Sequence, residues 1–525
     1  MSELHHREFV CGLDDILDGA GVCAVIDGAQ VAIFRVGNEL FGLENLDPFS
    51  GANVIARGIV GDLAGALVVA SPVYKQHFDL RSGRCIEDEA VVLQTWTCGV
   101  LDGRVWVESR RVPSRLAELT GRRRLVVIGN GMAAMRMVEE LLVEAPDLYD
   151  ITVFGSEPRG NYNRILLSPV LAGEKSWKDI ETHPLAWYAE RGITLHAGDT
   201  VEQIDRRQRR VISTRGIVAH YDRLVLATGS HPTALSLPGS ELAGITVFRS
   251  LDDVDAMLDA ARSHRRAVVI GAGLLGLEAA NGLSLRGMQV TVVHRNAWIM
   301  DRQLDRPAGE LLRAALEARG VEFHLSGRTS GFEGEERVSA VLLQDGRRVP
   351  ADLVVVAAGI TPRTELAQSC GLRCDRGILV DDTMQTFDPS IYAIGECVQH
   401  RGSTYGLVAP LWDQARVCAA HLSEHGGTRY RGSMSSTQLK VTGIDLFSAG
   451  NIVPGPGTET LRFSDAARGI YKRLFIEGDK LRGVVLYGET SNAAWYAELI
   501  ETGRDIAPLR QHLLLVEPEL QPRKA

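Results

Sequence analysis

The sequence predicts a multidomain α/β chain, with two doubly wound parallel-sheet units in the middle, an all-β segment ahead of them and a small α+β segment behind. Three observations carry this. Glycine-rich turns at Gly129/Gly131 and at Gly271/Gly273, about 140 residues apart, each follow a short apolar run and open a helical pattern. Strand-like and helical patterns alternate from the first turn to about residue 425. At 525 residues the chain exceeds what a single core supports.

Each element follows in order. Apolar runs at 22–26, 31–34, 66–70 and 105–107, separated by turn signals such as Asp27-Gly28, Ser82-Gly83 and Asp102-Gly103, read as short strands of an all-β domain over 1–110. The polar, proline-bearing stretch 111–122 reads as a linker. The first dinucleotide unit is expected over 123–240 and again over 363–428, with the second inserted between them at 241–362. Strand signals at 461–463, 473–476 and 483–487, then a helical pattern at 492–500, predict a terminal α+β domain over 434–525.

Bulk chemistry narrows the function classes. A net charge of −9 argues against nucleic acid and anionic membrane as partners. No apolar run reaches the ~18 residues that a spanning helix needs, and residues 1–8 lack the apolar stretch of a signal peptide, so a cytoplasmic location is expected. The eight cysteines form no C-x-x-C pair, and none lies between Cys98 and Cys370. A zinc site and a flavin-coupled disulfide are therefore not expected, and Cys370 and Cys374 read as structural.

The glycine turns name the chemistry. Gly129 and Gly271 make the turn, Gly131 and Gly273 let backbone amides approach a pyrophosphate, and Ala134 and Gly276 are small so that helix and strand pack closely. Two such sites suggest one dinucleotide held permanently, a flavin, and a second that visits to deliver hydride. Glu157, twenty-six positions after Gly131, stands where a carboxylate accepts from an adenosine ribose. Ala227-Thr228-Gly229 is a small-residue turn suited to lie against a cofactor, and Gly395-Glu396 supplies a close-approach glycine and an acid for ribityl hydroxyls. Gly359 completes the expected cofactor-contact glycines. After Gly276 comes Glu278, which also suits a helix N-terminus by charge alone. The following strand ends in His294-Arg295 in place of an acid. Arg295 suits the 2′-phosphate of NADPH, and the sequence leaves NADH and NADPH both open.

The turn at 227–229 and the Tyr392-Ala393-Ile394-Gly395-Glu396 motif resemble those of the two-dinucleotide-binding flavoprotein superfamily, in its rubredoxin-reductase-like and nitrite-reductase-like branch, where the last acid is usually aspartate. The resemblance implies FAD rather than FMN. It also implies that Tyr162, Asn163 and Arg164 run along the flavin, and that Glu278 lies near the nicotinamide carboxamide. Arg164 and Glu278 are accordingly the catalytic candidates.

Residues 45–49 and 71–83 resemble the two loops of a Rieske iron–sulfur domain, but Asp47, Phe49, Ser71 and Tyr74 stand at the four ligand positions. Irons there need thiolate or imidazole, so neither a [2Fe–2S] cluster nor any other metal is expected. This pattern is similar to the small subunit of NAD(P)H-dependent assimilatory nitrite reductases, and the segments 405–412, 436–443 and 469–474 resemble the FAD-containing half of the large subunit. No cysteine-rich or sirohaem-type segment follows residue 500, so the chain by itself is not expected to reduce nitrite to ammonia.

The implied function is electron transfer from NAD(P)H through FAD to a separate redox protein. That partner is a nitrate or nitrite reductase catalytic subunit or a ferredoxin-like carrier, and the resemblance implies a homodimer through the C-terminal domain. A stand-alone NAD(P)H oxidase or ferredoxin/rubredoxin reductase, and a redox-sensing scaffold flavoprotein, are the alternatives.

Overall fold

A computed structural model describes residues 6–63, 65–109, 122–424, 428–433, 436–439, 441 and 443–514. The expected linker, apart from residue 122, and the expected start of the last domain at 434 lie outside the described residues.

Two five-stranded parallel sheets form the centre. The first runs in the order Thr194–Ala197, Tyr149–Gly155, Arg123–Ile128, Arg223–Leu226, Ile391–Ala393. Its core strands are near-continuous apolar runs because both faces are covered, with Val126, Val127, Leu224, Val225 and Leu226 at 0–1% exposure. The helices Met132–Glu144 and Val408–Leu422 pack together on one face. The second sheet runs Ile245–Val247, Leu353–Val356, Arg266–Ile270, Gln289–Val293, Val321–His324. The helices Leu251–Ser263, Leu274–Leu285 and Arg306–Glu317 contribute buried residues to its core.

Strand–helix alternation is less regular than the sequence pattern predicts. Two three-stranded antiparallel sheets interrupt it, one from Val201–Asp205, Arg210–Ser213 and Val218–His220, the other from Thr329–Gly334, Val338–Leu343 and Arg348–Pro350. Hairpin turns close these strands locally, so no crossover helix is needed. Two short strands, Ser230–Pro232 and Ile360–Pro362, pair antiparallel where the chain passes between the two units.

At the N-terminus, residues 6–109 form small antiparallel sheets around Phe34, Leu43, Val69 and Phe78. At the other end, a five-stranded antiparallel sheet (436–438, 446–450, 458–465, 470–477, 480–487) is backed by the helix Ala493–Thr502. Its other face joins the core of the second unit through Leu446, Tyr471 and Phe475. Asp305, which caps the helix Arg306–Glu317, also accepts from Tyr471 and from Arg473 Nη1 at 2.9 Å, tying this domain to that unit.

Candidate functional site

The glycine turns sit at the carboxyl ends of the two parallel sheets. Gly129 has φ +117°, and a Cβ on it would fall 2.1 Å from the Ala227 carbonyl oxygen, so only glycine lets the two turns lie against each other. Gly131 differs: a Cβ there would meet nothing within 4 Å, which leaves its backbone open to the cavity in front. Ala134 is fully buried behind it. The second turn repeats this design, with Gly271 at φ +112° against Ala357, Gly273 open, and a Cβ on Gly276 meeting the Gly271 carbonyl oxygen at 2.0 Å.

In front of the first turn lies a cavity of about 700 Å³. It is lined by Gly129, Gly131, Glu157, Tyr162, Arg164, Ala227, Thr228, Gly229, Gly395 and Glu396, which together are most of the residues the sequence assigns to the flavin. The start of the second fingerprint helix, Leu274, Leu275 and Glu278, reaches the same cavity. The helix that follows the second glycine turn thus reaches the space in front of the first.

Three of its acids are held by neighbouring groups. Glu157 accepts from the Tyr162 hydroxyl at 2.8 Å and forms an ion pair with Arg164, whose Nη1 also donates to the Arg249 carbonyl at 3.0 Å. Glu396 accepts from Ser230 Oγ at 2.8 Å and pairs with Arg249. Glu278 is buried and accepts from the Ser168 hydroxyl. Gly395 N–H donates to Gln414 Oε1 at 2.8 Å, which fixes the turn before Glu396 to the long helix behind it. Burial and the neighbouring Glu157 push the Tyr162 phenol well above its ordinary range and keep it protonated.

Some expected residues stand elsewhere. Asn163 caps a short 3₁₀ turn, accepting from Ile165 N–H at 3.1 Å, and is not among the residues lining the cavity. Gly359 lies at the strand crossover with φ +120°, its carbonyl accepting from Thr233 N–H at 2.9 Å, also away from the lining. At the end of the second unit's strand, His294 is buried and built into the turn: its Nδ1 accepts from Ala272 N–H at 3.2 Å and its Nε2 faces Asp301 at 3.0 Å. Arg295 beside it is exposed.

Sequence reasoning missed Arg249, Ser168, Ser230 and Arg363. Arg249, Ser168 and Ser230 meet their acids across long stretches of chain, Arg249 and Glu396 being 147 positions apart, and Arg363 is held by its main chain to the turn at 227–229; no local motif signals such placements. Cys370 and Cys374 are free thiols, and burial pushes Cys374 up to about 11.

In the N-terminal domain the two loops do meet. Asp47 and Ser71, both fully buried, are joined by a 2.7 Å hydrogen bond from Ser71 Oγ to Asp47 Oδ2. Asp47 Oδ1 also accepts from Phe49 N–H at 2.9 Å. Phe49 and Tyr74 are exposed. This domain is fastened to the amino-terminal edge of the first sheet, opposite the cavity. Arg223 Nη2 donates to the Gly51 carbonyl at 2.6 Å, Gln30 Nε2 to the Glu424 carbonyl at 3.2 Å, and Arg57 pairs with Asp381.

Comparison with known proteins agrees with this layout. Residues 123–419 match the pyridine nucleotide-disulphide oxidoreductase family, 8–108 the Rieske-like [2Fe-2S] domain and 436–504 the rubredoxin NAD⁺ reductase C-terminal domain. The chain is 44% identical over 398 residues to the assimilatory nitrate reductase electron transfer subunit of Bacillus subtilis (strain 168), covering 76% of this chain and 51% of that protein. It is 45% identical over 387 residues to a nitrite reductase [NAD(P)H] of the same organism, covering 74% and 48%. The chain thus spans about half the length of these curated relatives. Among solved structures, a ferredoxin reductase from Rhodopseudomonas palustris superposes with a TM-score of 0.68 at 26% identity, covering 74% of this chain and 97% of that one. With more than half its length matched, and with the first glycine turn and the helix that follows the second lining one cavity, the chain belongs to the pyridine nucleotide-disulphide oxidoreductase family.

Proposed function

We propose that this protein is an FAD-dependent NAD(P)H oxidoreductase that passes electrons to a separate redox protein of nitrate or nitrite assimilation. The observation that carries the reading is the shared cavity: Gly131 and Glu396 of the first unit and Leu275 and Glu278 of the second line one space. A hydride donor on the second unit therefore meets an acceptor on the first without a large domain movement.

The residues present fit FAD. Gly131 leaves an open cradle at a helix N-terminus, suited to phosphates. Glu157 and Glu396 offer carboxylates for ribose and ribityl hydroxyls, and Tyr162 and Arg164 edge the cavity. Bound there, FAD would supply the chemistry of accepting hydride and releasing electrons. The chain's own part is positional. Glu278, held by Ser168, orients the incoming nicotinamide, and the Glu157–Arg164 and Glu396–Arg249 pairs hold the walls. The division of the chain at 110, 122, 240, 362, 428 and 434 belongs to the same proposal, as do a homodimer and a cytoplasmic location. Among the described residues no helix is long and apolar enough to cross a membrane.

The Rieske-like match implies an iron–sulfur cluster, and the donor set does not fit one. Of the four matching positions, Asp47 and Ser71 satisfy each other, and Phe49 and Tyr74 offer no thiolate or imidazole.

The test is the visible spectrum of the purified protein before and after one equivalent of NADH without oxygen. Twin flavin bands that bleach fully support the reading. Absorbance persisting outside those bands overturns the cluster-free domain, and a colourless protein that takes up no FAD overturns the reading itself.

The likeness to ferredoxin reductases over the flavin part favours a second reading, a stand-alone reductase. Removing residues 1–108 separates the two. Turnover with a ferredoxin-like carrier that the removal leaves unchanged favours the stand-alone enzyme, and loss of turnover with a nitrate or nitrite reductase partner while dye reduction stays intact favours the dedicated one.

A further inference from the structure

Arg363 is a cation of the cavity without a counter-ion among the described residues. It follows the crossover strand Ile360–Pro362, and its main chain is fixed from both sides. Arg363 N–H donates to the Gly229 carbonyl at 3.0 Å, and the Thr228 hydroxyl donates to the Arg363 carbonyl at 3.1 Å. Its side chain lines the cavity, and its Nε, shielded from solvent, has no hydrogen-bond partner among the described residues. The nearby acids are engaged elsewhere: Glu157 with Arg164, Glu396 with Arg249, and Glu365 with His231 at 3.4 Å. Burial, then the positive charges of Arg249 and Arg164, push the Arg363 guanidinium below its ordinary range. A half-buried guanidinium among other cations is costly to keep unless an anion joins it.

We propose that Arg363 binds the pyrophosphate bridge of FAD, an inference that rests on the flavoprotein reading. Its placement selects that part of the ligand. Gly129 and Ala227 are in backbone contact, so the first glycine turn and the turn at 227–229 form one wall, and Arg363 is hydrogen-bonded to that wall. A dinucleotide's phosphates sit on such a glycine turn, at the N-terminus of the helix Met132–Glu144. That terminus supplies roughly half a positive charge against the two negative charges of a pyrophosphate. Arg363 supplies a full one, on a planar fork that matches phosphate oxygens.

The experiment titrates FAD into the deflavinated full-length wild type, Arg363→Gln and Arg363→Lys. ADP, which carries the pyrophosphate and no flavin, serves as competitor, and the flavin midpoint potential of each reloaded protein is measured alongside. The expected result is an FAD Kd raised roughly ten- to hundredfold in Arg363→Gln, the size of a charge-assisted contact. The ADP inhibition constant rises in parallel and the midpoint potential stays put. An FAD Kd within twofold of wild type overturns the proposal while the flavoprotein reading stands, because the wild type still binds. A shifted potential with unchanged ADP affinity also overturns it, by placing Arg363 at the flavin ring. If the wild type takes up no FAD, both fall. Should Arg363→Gln fail to fold, Arg363→Lys decides: it keeps the charge but loses the fork, so a Kd raised threefold or more supports the proposal and an unchanged one overturns it.

Discussion

Glu278 lies where the helix after the second glycine turn enters the first unit's cavity, and its burial at 5% exposure with Ser168 as donor sets it apart from a helix-terminal acid in solvent. If it positions the nicotinamide, Glu278→Gln should slow anaerobic bleaching of the flavin by NADH roughly ten- to hundredfold, as small misplacements of a reacting pair do. FAD retention should not change. A bleaching rate equal to wild type would reduce Glu278 to a favourable charge at a helix end. Its type and spacing are legible in the sequence; its partner Ser168, 110 residues away, is not. His294 gives the opposite lesson. The sequence presents it only as a strand-end residue standing in place of an acid, whereas the fold turns its ring onto Ala272 N–H and Asp301. Local pattern marks the strand end, but the ring's hydrogen bonds depend on a loop seven residues on.

At the scale of the element, the strand–turn–helix unit separates two jobs that glycine performs. Gly131 has open space where a methyl would go, and Gly276 has a carbonyl oxygen 2.0 Å away. Gly131→Ala should therefore leave the unfolding free energy of the FAD-free protein within about 0.5 kcal/mol of wild type. The same change should weaken FAD binding, because the added methyl enters the space the phosphates occupy. Gly276→Ala should cost roughly 1–3 kcal/mol by overpacking. Denaturant melts combined with FAD and NADH titrations check both, and equal effects of the two substitutions on stability would contradict the geometry. Both turns were legible because their requirements are local: an apolar strand, a positive-φ glycine and a small residue on the first helical turn. The two antiparallel sheets that interrupt the parallel pattern were not, since a short alternating run reads alike in a hairpin and at a sheet edge.

For the whole molecule, the seam between the N-terminal domain and the first sheet holds a buried histidine that should contribute to acid sensitivity. His421, near the end of the helix Val408–Leu422, is buried, its Nδ1 shares a 2.9 Å hydrogen bond with the Tyr392 hydroxyl, and it lies near Arg57 of the N-terminal domain. Burial first, then the Arg57 charge, holds it down to about 3 from an ordinary 6.5. The unfolded chain therefore binds one more proton than the native chain between those values, and stability rises with pH across that window. The contribution is whole above 6.5 and is lost progressively as pH falls toward 3. His421→Gln should flatten the loss between pH 7 and 5 by at most about 2 kcal/mol, measured by denaturant unfolding at both pH values. An identical pH dependence in the variant would mean that His421 does not carry it.

The sequence by itself determined the class of chemistry and the order of the parts. Turn geometry and strand burial are each specified by residues a few positions apart. Only the tertiary structure brought Leu275 and Glu278 to the flavin side, paired Arg249 with Glu396, left Arg363 without a counter-ion among the described residues, and set the Asp47–Ser71 loops on the edge of the sheet away from the cavity. These are contacts between residues dozens to hundreds of positions apart. Packing of whole units against one another decides them, and local periodicity carries no record of that packing.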